Sequence, residues 1–308
     1  SICITMKNRL KQFGCTLLVL ALLTLACSKE DEAPVANNTY TTTKTIAYKQ
    51  VSGVDPNLLS LDVYHFENTS LKKPVVVYVH GGAWAIGDKA NSIDNKRNLF
   101  ESVNYVFVSV NYRLSPANEE LAADRIKFPV HNNDVADAVK WIFDNIGTYG
   151  GDANKIVLLG HSAGAHLVSL TGLSQQFLPE RGIALTQLKG VASIDTEGYD
   201  VEAQVNDNNL TYINAFGTNV NDLVAASPVQ QIDNTKDYPP FFVAKRGSVT
   251  RINIAENFIE TLTAAGVSVS TITASQYDHE GINDAIGAPG ETAVTEPLLE
   301  FFESCFNN

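Results

Sequence analysis

Residues 156–170, IVLLGHSAGAHLVSL, restrict the possible folds of this chain more than any other stretch. An aliphatic run ends on Gly160, Ser162 stands between Gly160 and Gly164, and small and aliphatic residues resume at once. The first run reads as a strand buried on both faces and the second as a helix. Almost no residues are left between them to turn the chain, so Ser162 is expected on a sharp, strained corner that pushes its hydroxyl out at the carboxyl end of the strand. A Gly-x-Ser-x-Gly pentapeptide can also serve packing alone. Its chemical meaning depends on the elements around it and on partners elsewhere in the chain.

Those elements are present. VVVYV (75–79), YVFVSV (105–110), KIVLLG (155–160), GVASID (190–195) and FFVA (241–244) are short, nearly continuous apolar runs, as parallel strands covered on both faces require. TIAYKQV (45–51) and LSLDVYHF (59–66) alternate around Asp55-Pro56-Asn57 and read as an antiparallel pair at a sheet edge. Segments with helical spacing lie between and after the strands. Residues 133–146 set Val135, Ala138, Val139 and Ile142 on one stripe, 255–266 end in a glycine stop, and 296–306 close the chain. Alternating strand and helix predicts an α/β fold: a mostly parallel central sheet with helices on both faces. The Asn- and Asp-rich stretch 197–228 is expected as a small, irregular cap inserted between strands six and seven.

Residues 1–26 read as targeting sequence, not fold. After Met6, the sole methionine, come Lys7, Arg9 and Lys11, then an apolar run, then Leu25-Ala26-Cys27. This is the layout of a secretory signal peptide, too short for a comfortable membrane span. The cysteine resembles that of a bacterial lipobox, although Thr24 sits where an aliphatic residue is usual. Residues 27–44 are then expected as a flexible tether behind a lipid anchor at Cys27, which would be the chain's only link to a membrane, and 45–308 as the folded domain. With Cys27 acylated, Cys305 is left without a disulfide partner. The net charge of −12 argues against nucleic acid, whose phosphates require a basic face.

His80-Gly81-Gly82-Ala83-Trp84 follows the run 75–79. Glycines at the end of a central strand let backbone N–H groups approach a ligand closely, and fixed N–H donors stabilise the oxyanion of acyl transfer. Gly82 and Ala83, with the N–H of Ala163, are candidates for such a hole. Taken in order, HGGAW, VSVNYRLSP (108–116) and GHSAGAHL (160–167) resemble the α/β-hydrolase superfamily. The branch resembled is the esterase/lipase group that includes hormone-sensitive-lipase-like carboxylesterases, feruloyl and acetylxylan esterases and kynurenine formamidases. The resemblance runs from about residue 60 onward. It implies Ser162 as nucleophile, the 81–83 loop as oxyanion hole and a late histidine as base.

Of six histidines, His80 belongs to the glycine turn, His161 to the elbow and His166 to the helix behind it, while His65 and His131 lie in early elements. His279, in YDHEGIND after the β-like VSTITAS, falls in a loop at the end of a late strand and fits the order in which histidine comes last. The acid departs from the family pattern. The loop after strand seven, where that pattern puts an Asp, reads AKRGSVTRINIAEN and has no carboxylate before Glu256. Asp195, at the end of strand six, is the best-placed substitute to hold the imidazole tautomer, Glu197 is second, and Asp278 is too near His279 in sequence. Asp195 could equally cap a following turn. Lys245, Arg246 and Arg251 read either as anchors for an anionic substrate group or as solvated charges.

The sequence thus predicts an exported serine hydrolase of carboxylic esters, acting on acyl groups of carbohydrates or on small esters, with no cofactor and no metal. An amidase or formamidase of the same fold, and a catalytically silent binding protein on this scaffold, are the alternatives.

Overall fold

A strand buried on both faces must supply apolar side chains at every position, and the central runs do so. In this computed structural model, which describes residues 39–67, 70–117 and 121–307, they form an eight-stranded sheet. The strands are β1 (Tyr40–Ala47), β2 (Ser60–Phe66), β3 (Lys73–Val79), β4 (Val106–Val110), β5 (Gly151–His161), β6 (Gly190–Ile194), β7 (Phe241–Lys245) and β8 (Val269–Thr273). Their spatial order is β1-β2-β4-β3-β5-β6-β7-β8. β2 runs antiparallel to β1 and β4, and every pair from β4 through β8 is parallel.

Alternate residues of β3 enter different cores. Val75, Val77 and Val79 pack with α2 (Val130–Asn145), α3 (Ala163–Leu173) and α7 (Val249–Ala264). Val76 and Tyr78 face α1 (Asp94–Ser102), α8 (His279–Ala285) and α9 (Thr295–Phe306). The stripe Val135, Ala138, Val139 and Ile142 is fully buried, and burying each of its larger aliphatic side chains stabilises the fold by about 1.5–3 kcal/mol. Cys305 is buried and has no disulfide partner among the described residues. Among the described residues no helix is long and apolar enough to cross a membrane.

Two expectations need correction. The first strand is Tyr40–Ala47, so the sheet starts inside the stretch read as tether. Tyr40 pairs with Phe66, ring centroids 4.9 Å apart, and the β-branched Thr41–Thr43 continue the ladder opposite His65, Tyr64 and Val63. The ladder shifts register between Thr43 and Ile46. The rest of the expected tether and the leader, including Cys27, lie outside the described residues. The stretch 197–228 is also more regular than expected. It forms α4 (Val201–Asn206), α5 (Leu210–Phe216) and α6 (Val220–Ala226). Its Asn and Asp residues explain the short helices: Asp200 accepts from Ala203 N at 3.0 Å and Asn219 from Asp222 N at 3.1 Å, each capping a helix start.

The glycines of the elbow are steric necessities. A Cβ on Gly164 would lie 2.0 Å from the Val79 carbonyl oxygen, and one on Gly160 would lie 2.3 Å from that of Gly164. Gly164→Ala should therefore cost about 3 kcal/mol by urea unfolding, as overpacking against backbone does. Gly147→Ala, with nothing within 4 Å of the new methyl, should cost far less. Equal losses at the two positions would show that close backbone approach does not set the elbow.

Candidate active site

β5 ends in the elbow and α3 begins immediately after it, so Ser162 takes φ 56° and ψ −120°, a conformation rare for a residue with a side chain. Its N–H donates to Ile194 O at 3.0 Å, which ties the turn to the end of β6. The next residue of that strand end, Asp195, also has positive φ (51°), and its N–H donates to Ala244 O of β7 at 2.9 Å. Successive strand ends are thus laced together by main-chain bonds at the carboxyl edge of the sheet.

α8 brings the histidine to the same edge. His279 Nε2 stands 2.8 Å from Ser162 Oγ, and His279 Nδ1 stands 2.7 Å from Asp195 Oδ2. A carboxylate can only accept, so Nδ1 carries the proton, and Nε2 is left to accept from the serine hydroxyl. Asp195 is almost wholly sealed, whereas the His279 side chain reaches solvent. Burial works against the Asp195 charge, but hydrogen bonds from His279, Arg251 and Arg246 outweigh it and bring the carboxyl down from 3.8 to about 2. Glu197 does not touch His279; it accepts from Arg251 Nη1. Asp278 caps α8 through Gly281 N.

The cationic residues at and beyond the end of β7 turn inward. Lys245 pairs with Glu256 at 3.1 Å, and Arg246 and Arg251 both hydrogen-bond Asp195. Their charges are met by carboxylates within the fold, and Arg251 also lines the cavity beside Ser162. Sequence reasoning missed this, and the available signal was the pair of arginines in the stretch after β7 that lacks the usual acid.

His161 and His166 brace the site. His161 donates through Nε2 to the carbonyl of His279 at 2.7 Å, with ring centroids 4.7 Å apart. His166 accepts from Trp84 Nε1 at 3.2 Å and donates through Nε2 to Ala226 O at 2.8 Å, joining the glycine loop, α3 and the end of α6. Trp84 is packed further by Tyr212 and Phe216 of α5, at centroid distances of 5.0 and 4.8 Å. Behind α8, the buried Lys96 ammonium donates to Asn283 O and Ser92 O, and Tyr78 Oη donates to Asn283 Oδ1 at 3.1 Å. This fixes the helix that carries His279.

Ala83, Trp84, Ser162, Ala163 and His279 line one cavity of about 210 Å³ together with Thr196, Glu197, Asn209, Thr211, Tyr212 and Arg251. Ala83 and Trp84 have positive φ (53° and 59°), and Ala163 is the first residue of α3, where an N–H has no partner within its helix. Gly82 is set one step back. Its carbonyl accepts from Ala85 N and Ile86 N, and it lines a neighbouring cavity of about 260 Å³ with His80 and His161. Among the described residues, His161, Asp195 and His279 offer ligand atoms within 4.8 Å of one another, the spacing of a metal site. The donors are already committed to each other, to Ser162 and to two guanidinium groups, an arrangement that suits proton transfer.

With the site in view, residues 61–254, well over half the chain, match the BD-FAE family. The chain belongs to that family. This BD-FAE chain is 30% identical over 234 residues to the esterase LipC of Mycobacterium tuberculosis, a match covering 70% of the chain and 55% of LipC. It spans about half or less of the length of the curated relatives it matches. Its fold superposes on esterase B from Lactobacillus rhamnosis with a TM-score of 0.71 at 18% identity, covering 87% of each chain. A truncated carbohydrate esterase from gut microbiota gives a TM-score of 0.69 at 17% identity, over 89% of this chain and 99% of that one. These likenesses establish the α/β-hydrolase fold.

The buried histidines have a consequence for stability. Burial, with the neighbouring His279, pushes His161 down to about 3, and burial pushes His166 down to about 4. Below pH 6.5 the unfolded chain takes up protons at these positions that the native state refuses, so stability is lost as pH falls, at about 1.4 kcal/mol per pH unit for each histidine. The urea midpoint should drop steadily from pH 6.5 to 4.5, and His166→Gln should flatten that slope. A midpoint independent of pH over this interval would refute the neutral assignment.

Proposed function

We propose that the protein is a serine hydrolase of carboxylic esters. The observation that carries this reading is the unbroken chain from Ser162 Oγ through the His279 ring to Asp195, at 2.8 and 2.7 Å, opening on a cavity lined by Ala83 and Ala163. As Ser162 Oγ attacks the ester carbon, its proton passes to His279 Nε2 and the carbonyl electrons collect on oxygen as an oxyanion. The N–H groups of Ala83 and Ala163 stabilise that charge, and Gly82 shapes the loop that presents them. The intermediate collapses, the C–O bond to the alcohol breaks, and the leaving oxygen takes the proton from Nε2. Water then repeats the sequence on the acyl-serine, giving up a proton to His279 as it attacks and releasing the acid. Asp195 holds the Nδ1–H tautomer and offsets the imidazolium charge as it forms. Family membership and relatives named as esterases support the same chemistry.

The cavity walls bear on the substrate. Thr196, Glu197, Asn209, Thr211 and Arg251 present polar groups around Ser162, which favours small or hydroxylated esters over long acyl chains. The structural neighbour described as a carbohydrate esterase agrees with acyl groups on sugars. The basic and apolar residues before Cys27 support export and lipid anchoring. In that case the protein made in cells partitions into detergent, and Cys27→Ala releases it; equal partitioning of both forms would leave no anchor at Cys27.

Ser162→Ala should remove on the order of 10⁶ of kcat with melting temperature unchanged, and it should abolish labelling by a fluorophosphonate. Asp195→Asn should lower kcat by about 10⁴. Activity of Ser162→Ala within tenfold of the parent would exclude this mechanism. On p-nitrophenyl esters, acetate should exceed octanoate in kcat/KM by about tenfold or more, as pocket discrimination of chain length allows; the reverse order would refute the substrate class.

A further inference from the structure

Arg246, in the loop after β7, and Arg251, in the first turn of α7, stand where the family pattern puts an acid, and both donate to Asp195. Arg251 donates from Nε to Asp195 Oδ1 at 2.6 Å, from Nη2 to Asp195 O at 3.1 Å, and from Nη1 to Glu197. Arg246 donates from Nη1 to Asp195 Oδ2 at 2.9 Å and from Nε to Tyr277 O at 3.0 Å, two residues before His279. Both side chains are only 17% exposed. Building on the serine-hydrolase reading above, we propose that Arg246 and Arg251 are positioning residues for the reaction: a two-guanidinium clamp that fixes the Asp195 carboxylate in register with the His279 ring.

The geometry explains why a clamp is needed. An acid on the loop after strand seven would sit on the segment that faces the histidine loop, whereas Asp195 sits one strand away, on a residue with strained φ. A single bond from His279 to Oδ2 leaves the carboxylate free to rotate about its Cβ–Cγ bond. Arg251 pins the opposite oxygen and the main chain of the same residue, which removes that rotation. Arg246 bonds Oδ2 and the His279 loop together, so it sets the distance between acid and base. Arginine suits both jobs because its planar fork carries several donors in fixed directions, which lysine does not.

Charge is balanced at the same time. Asp195 and Glu197 oppose Arg246 and Arg251, so the cluster is neutral until His279 takes the serine proton. Arg251 Nη2 also lies 3.3 Å from His279 Nδ1. Both atoms are donors when Nδ1 is protonated, so this is a proximity and not a bond. Glu197 on Nη1 holds the guanidinium on the acid side of that contact.

The test compares Arg246→Gln, Arg251→Gln and Arg251→Lys with the parent in steady-state hydrolysis of p-nitrophenyl acetate. The two Gln variants should each lose about 10²-fold in kcat, the size of loss that follows from misplacing a catalytic group by about an ångström, with KM changed by less than about threefold. Arg251→Lys, which keeps the charge without the fork, should fall between and retain the parental melting temperature. Millimolar guanidinium should restore part of the kcat of Arg251→Ala, and ethylammonium should not. The far-downfield proton resonance of His279 Nδ1–H should be sharp in the parent and broadened or lost in the Gln variants. That readout does not depend on turnover, so it separates failure of the clamp from failure of the serine mechanism, which Ser162→Ala decides. If the Gln variants do not fold, Arg251→Lys and the guanidinium rescue decide. Parental kcat in Arg251→Lys, or an unchanged downfield resonance in folded Gln variants, would overturn the proposal.

Discussion

The site depends on one contact between main chains. Gly164, in the first turn of α3, presses its Cα side against the Val79 carbonyl at the end of β3, with no room for a methyl group. That approach brings the Ser162 corner beside Gly81, where a Cβ would lie 3.0 Å from the serine Cβ. The Ser162 corner and the glycine loop are therefore placed by backbone, which cannot change rotamer. Everything that must be accurate to a few tenths of an ångström begins at this contact, and the two cores on either side of the sheet hold it closed.

Around that fixed point the protein uses histidine in two ways. His279 is oriented through both ring nitrogens to a serine and a carboxylate. His161 and His166 are buried and neutral, and their donor–acceptor pairs connect the elbow to the His279 carbonyl and Trp84 to the end of α6. A neutral imidazole can donate at one end and accept at the other, which suits it to link elements whose free groups differ. The same property makes the site sensitive to acid, because a protonated ring would face a donor at one of its contacts.

The acid is the element with the least usual support. At the end of β6, Asp195 has a strained conformation, is sealed from water and has β7 between it and β8, the strand before His279. Two arginines now stand where the family pattern has the carboxylate. Their hydrogen bonds keep Asp195 ionised despite its burial and tie it to the segment that carries His279. The cavity above keeps its polar walls, and the small helices of the 197–228 insertion close it through Tyr212 and Phe216 on Trp84.

The sequence by itself determined the sheet, the elbow and the identity of the serine and the late histidine. These rest on local patterns: apolar runs long enough for strands buried on both faces, glycines where no side chain fits, and a loop position after the last strand. It also narrowed the acid to Asp195 and Glu197, since no other carboxylate lay at a suitable strand end. It ranked Asp195 ahead of Glu197 without deciding the matter, because the choice turns on which oxygen meets a ring 84 positions away. The roles of Arg246, Arg251, His161 and His166 were likewise out of reach, since each depends on partners from a different strand end or helix. Lone charges and histidines carry no periodic pattern to announce them. The first strand was misplaced for a related reason: its register is set by Tyr40 meeting Phe66, a cross-strand contact that a threonine-rich segment does not advertise. Periodicity and steric exclusion can be read along the chain, while hydrogen bonds between distant side chains exist only once the sheet has brought its edges together.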